Sequence, residues 1–112
     1  MLLTNSADPQ ITYTGTSTAL ADGVYQLDYT IQVAGTYTLE IMVQPGGTGP
    51  SYHIKDSNLV VICAVNEVDA ANTVLSGEGV TDSMAGVVAT FTVTLFDVGQ
   101  NQRETGGDSI LV

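Results

Sequence analysis

The chain has 112 residues, 44% of them hydrophobic, and its twelve carboxylates outweigh Lys55 and Arg103 to give a formal charge of −10. Its size predicts one domain with a modest core, and its hydrophobic content excludes a disordered chain. Phosphate backbones and anionic membrane surfaces need clustered Lys and Arg, which excludes both as partners.

The hydrophobics include the strand formers Val, Ile and Tyr, diluted with much Thr and twelve Gly and with no Trp, a composition of strands and turns. The lone Cys63 forms no intrachain disulfide and lies in the apolar run 59–65, where an inert buried thiol is expected. No apolar run approaches the length of a membrane span. Met1-Leu2-Leu3 is too short for a signal peptide, so any export signal is expected outside the chain.

In chain order, residues 10–14 alternate as a short strand, and Gly15 to Thr18 follow as a polar stretch. Between the turn signals Asp22-Gly23 and Ala34-Gly35, Tyr25, Leu27, Tyr29 and Ile31 alternate with polar or smaller side chains, predicting a strand over 23–31. A second strand over 36–44 carries Tyr37, Leu39, Ile41 and Val43 on one face. Residues 45–50, with two prolines and three glycines, form a turn.

Residues 57–65 are almost continuously apolar, as in a strand covered on both sides or an interface. After the polar connector 66–72, an element over 73–80 bends at Gly77 and Gly79. A strand over 86–96 places Ala89, Phe91, Val93 and Leu95 on one face. A polar loop over 97–108 precedes Ser109-Ile110-Leu111-Val112, the beginning of another strand. Helical periodicity is absent, and seven or eight short strands predict an antiparallel β-sandwich.

The run Asp22-Gly23-Val24-Tyr25-Gln26-Leu27-Asp28-Tyr29, followed by Gly35-Thr36-Tyr37-Thr38-Leu39, resembles the D-G-x-Y-x-V-x-Y … G-x-Y-x-L signature of filamin-type immunoglobulin repeats. His53-Ile54-Lys55-Asp56-Ser57 is similar to that family's H-I-x-G-S-P-F segment, with Asp56 in place of glycine and Asn58 in place of proline. Residues 85–93 resemble its opening strands, and Asp97-Val98-Gly99-Gln100-Asn101 its D-x-x-G-N loop. The resemblance implies an immunoglobulin-like antiparallel β-sandwich of about seven strands. It implies a core of Tyr25, Leu27, Tyr29, Tyr37, Leu39, Ile41, Phe91, Val93 and Leu95.

The order is shifted relative to that family. Residues 1–72 match the C-terminal half of a repeat and residues 73–112 the N-terminal half, together one immunoglobulin-like domain. Joining Ile110-Leu111-Val112 to Met1-Leu2-Leu3 restores one uninterrupted strand. The chain is therefore one period of a tandem array, a permutant that closes on itself, or a unit completed by strands of its neighbours. Severed apolar ends favour an array or filament, because they expose unpaired strand edges.

The expected function is a structural building block of an extracellular or cell-surface fibre, assembled head to tail from identical subunits or neighbouring repeats. Met1, Leu2, Leu3, Ile110, Leu111 and Val112 are its assembly interface. The alternative is a binding module that captures a peptide or glycan at a sheet edge.

Catalysis finds no motif around the sole His53, which is assigned to a turn or strand end. No cofactor is expected. Calcium is the one cation the acidic loops suggest, with Asp97, Glu104 and Asp108 as candidate ligands, although no EF-hand spacing is present.

Overall fold

A computed structural model describes residues 1–111. The described chain is all-β, with ten strands in several antiparallel sheets, two short 3₁₀ turns and no α-helix. It divides into two compact units, Met1–Ala64 and the segment from Val65 onward. The connector 66–72 belongs with the second unit.

The first unit is built on a four-stranded sheet of β1 (Leu2–Asn5), β2 (Thr12–Thr14), β5 (Gly35–Glu40) and β8 (Leu59–Cys63), in the order β2-β1-β5-β8. Two hairpins accompany it: β3 (Thr16–Ala21) with β4 (Val24–Asp28), and β6 (Met42–Val43) with β7 (Tyr52–His53). Leu3 stands opposite Leu39, and Asn5 opposite Tyr37, which stands opposite Val61. Directly opposed residues share a face, so these side chains converge on one side of the sheet. Leu3 and Tyr37 are 0% exposed and Leu39 is buried beside them. Met1, Ile11, Tyr13 and Ile31 pack against that nucleus. Full burial of each such side chain contributes about 1.5–3 kcal/mol.

Two tyrosine hydroxyls hold the crossing from β4 to β5. Tyr37 donates to the Val33 carbonyl at 2.7 Å, and the Val33 N–H donates to the Tyr13 hydroxyl at 3.1 Å. The two rings meet at 5.8 Å between centroids, tilted by 59°. Both backbone groups of the half-buried Val33 are thereby satisfied. Burial pushes the Tyr37 hydroxyl above its ordinary pKa, against the opposing effect of its hydrogen bond with Asn5. Asn5 also caps the turn after β1, accepting the Ala7 and Asp8 N–H groups at 2.8 and 3.1 Å.

In the second unit, β9 (Val74–Ser76) pairs with β10 (Thr92–Thr94), Leu75 opposite Val93. The bend after β9 falls at Gly77, with φ 110°, and leads into the 3₁₀ turn Glu78–Val80. A Cβ on Gly79 would lie 2.5 Å from the Thr90 carbonyl oxygen, so only glycine fits this approach.

Several expected elements differ. The polar stretch after Gly15 is β3, because threonine suits a strand and the Asp22-Gly23 turn, with φ 46° and 81°, returns the chain along it. The strand over 23–31 ends at Asp28, and Tyr25 and Tyr29 are exposed rather than core residues. Hairpin β3–β4 has only two strands, so alternation along it does not produce a buried face. The strand over 36–44 is split at Ile41, whose N–H and C=O are both bonded by the Ser57 hydroxyl, at 3.0 and 3.3 Å. The strand over 86–96 is shortened to Thr92–Thr94, and Phe91 is exposed. Residues 109–111 form no strand.

Two substitutions measure the nucleus. Tyr37→Phe keeps the ring but frees the Val33 carbonyl, and should lower stability by about 1 kcal/mol in denaturant titration. Leu3→Ala leaves a cavity at the sheet centre and should cost about 3 kcal/mol in the same assay.

Candidate functional site

Asp97 is the most elaborated side chain of the second unit and is 2% exposed. Its carboxylate accepts the Asn66 N–H at 3.0 Å, the Asn101 N–H at 2.8 Å and the Asn101 side-chain amide at 3.0 and 3.1 Å. Its own carbonyl receives the Gln100 N–H at 3.0 Å and the Asn72 side-chain amide at 3.1 Å. The loop 97–101 is closed by the bridge between Phe96 and Gln102, and Val68 bridges to Asp97 from the connector. Asp97 therefore joins the connector 66–72 to the loop 97–101. The Asn66 hydrogen bond leads the effects that hold its carboxyl below the ordinary value of 3.8, and the Asn101 hydrogen bonds add to it against desolvation.

The other two candidate calcium ligands do not join it. Asp108 pairs with Arg103 at 3.4 Å, and no group of three or more potential ligands converges among the described residues. The Asp97 oxygens already face N–H donors, which a cation would have to displace.

His53 lies at the end of β7, where its Nδ1 stands 3.5 Å from the Ser57 hydroxyl. That hydroxyl is committed to the backbone of Ile41, and the pair is exposed, so the geometry does not activate a nucleophile. Cys63 closes β8 half-buried rather than sealed in a core. No helix is long and apolar enough to cross a membrane among the described residues.

The residues assigned to an assembly interface occupy different settings. Leu2 and Leu3 belong to β1, which is paired on both sides, by β2 and by β5. The severed, unpaired edge expected at residues 1–3 is absent, because the turn at Ser6 to Gln10 folds β2 back onto β1. Ile110 and Leu111 lie outside any strand, Leu111 being 94% exposed. Val112 lies outside the described residues.

Free strand edges occur elsewhere. Strand β8 ends the four-stranded sheet, and β4 and β10 each pair on one side only among the described residues. The continuous apolar run at 57–65 signalled β8, but it is an edge strand with Val60 and Ile62 exposed, not a strand covered on both sides. Asp97 and Asn101, the ends of the loop Asp97-Val98-Gly99-Gln100-Asn101, form a hydrogen-bond centre together with Asn66.

No protein-family model, curated protein or solved structure matches the chain.

The depressed Asp97 carboxyl stabilises the fold above its unfolded pKa, and that contribution is lost as pH falls through the folded value. Asp97→Asn should therefore melt earlier than the parent at neutral pH. In thermal melts at stepped pH the difference between the two should shrink as pH falls below the ordinary carboxylate value, where the parent carboxyl is progressively protonated in both states.

Proposed function

We propose that the chain is a structural unit of an extended array or fibre outside the cell, built from immunoglobulin-like sandwiches that are completed between neighbouring units. The observation that carries this reading is the Tyr37 hydroxyl bonded to the carbonyl of Val33, four residues upstream, at the entrance to β5. A tyrosine in that position, at the corner between strands E and F, is a hallmark of immunoglobulin-like sandwiches.

The surrounding topology supports the same assignment. With β5 as strand F, the order β2-β1-β5-β8 corresponds to C′-C-F-G, the sheet of a variable-type domain. Hairpin β3–β4 then corresponds to D–E, and β9–β10 to A–B, which would precede strand C in an unshifted domain. The filamin-type signature at 22–39 falls on strands E and F of this scheme.

The chain thus carries strands for both sheets, in a shifted order. In the proposed assembly, hairpin β9–β10 of one unit adds to the free edge of β4 in the next. Such head-to-tail contacts repeat without closing and generate a filament. The exposed Tyr25 and Val24 on β4 and Phe91 beside β10 supply apolar surface for the contact. The charge of −10 keeps finished units soluble and suits a cation-rich medium outside the cell.

Light scattering over a concentration series, with electron microscopy of the same samples, tests the proposal. Mass should climb from the 11.6 kDa chain through a ladder of oligomers, with filaments visible at the upper end. A compact 11.6 kDa particle at every concentration would overturn it and direct attention to peptide capture at the same edges.

A further inference from the structure

Strand β8 breaks the usual rules for a sheet edge. Leu59-Val60-Val61-Ile62-Cys63 contains no charge and no proline, and its five-residue register with β5 runs without a bulge. Its other edge has no strand partner among the described residues. Val60 and Ile62 project from the face opposite Tyr37 and are 70% and 77% exposed. Natural sheets protect such edges with lysine, proline, bulges or covering segments, because an open apolar edge is a template for strand addition.

We infer that β8 is a self-pairing edge, and that two copies of the chain join through antiparallel β8–β8 addition centred on Val61. This contact is separate from the head-to-tail contact proposed above and would link units or filaments laterally. Charge selects both the partner and its direction. Two chains of charge −10 repel over most of their surfaces, and β8 is a strip where they can meet without opposing carboxylates.

The flanks favour the antiparallel arrangement. Lys55 and Asp56 precede β8 and cancel, whereas Glu67 and Asp69 follow it. Parallel addition would bring the two acidic flanks together. Antiparallel addition sets each acidic flank against the other copy's neutral Lys55-Asp56 flank, so the two acidic flanks stay apart.

The centre at Val61 opposes Val60 of each copy to Ile62 of the other, and Leu59 to Cys63. β-Branched pairs of this kind are favourable across antiparallel strands. The register also keeps Leu59, Val61 and Cys63 of both copies on the face that carries Tyr37 and Leu39, so the two four-stranded sheets continue as one.

The test uses the full chain with Cys63→Ser as background. Across the twofold axis the Cα atoms at position 61 would lie about 4.5–5.5 Å apart, within disulfide reach. Val61→Cys should therefore oxidise to a covalent dimer, while Thr38→Cys, on the interior strand β5, should not. Absence of cross-linking at 61 above the Thr38→Cys control would overturn the inference.

Charge exchange on the exposed face tests the register without the disulfide. Val60→Glu with Ile62→Glu opposes like charges twice and should weaken the dimer about tenfold or more in sedimentation equilibrium. Val60→Lys with Ile62→Glu opposes unlike charges twice and should return its dissociation constant to within about threefold of the parent. Circular dichroism establishes that both variants fold. Equal dimerisation by the two variants would overturn the register. Loss of the filament ladder with retention of the β8 dimer would reject head-to-tail assembly alone, and the converse would reject self-pairing alone.

Discussion

The first unit depends on a constraint at Val33. Val33 is half-buried beside the sheet nucleus, where its backbone groups need partners within the protein. Tyr13 and Tyr37, from β2 and β5, bond the N–H and the C=O of this one residue. Each ring adds apolar area to the nucleus, and each hydroxyl fixes the path of the chain above it. Because β1 lies between β2 and β5, Leu3 stands opposite Tyr13 on one side and Leu39 on the other, at the centre of the nucleus. Packing and hydrogen bonding therefore act here as one interaction.

The nucleus is small beside the apolar surface that remains. Leu3, Tyr37 and Leu39 are the buried hydrophobic residues among those described, while Val24, Tyr25, Val60, Ile62 and Phe91 stay exposed. Isolated two-stranded hairpins gain little stability in water, and the chain has three of them. Open edges and exposed β-branched side chains are costs that association removes. This gives the assembly reading its physical force, and the strongly acidic surface limits where association can occur.

Two residues on the approach to β8 take left-handed backbone. Asp56 has φ 60°, a conformation glycine adopts freely and aspartate tolerates. Asn58 has φ 69°, which proline cannot adopt. In the second unit, Asp97 uses a short side chain to organise two loops, a role that the spacing to Asn101 allows and that leaves its oxygens occupied.

The sequence by itself determined the all-β class, the turns at Asp22-Gly23 and 45–50, the bend at Gly77 and the pairing face of Tyr37 and Leu39. All of these rest on local chemistry: left-handed φ, fixed proline φ and twofold alternation. It did not determine which alternating faces would be buried, because alternation describes one strand and burial depends on a second layer. Tyr25 and Tyr37 sit in similar patterns, yet one is exposed and the other is 0% exposed. Tertiary structure also decided that β1 is an interior strand and β8 an edge, since the neighbours of a strand come from residues distant in sequence. Likewise, Asp97 is one loop carboxylate among several in sequence and becomes a hydrogen-bond hub only when folding brings Asn66, thirty-one positions away, within 3.0 Å.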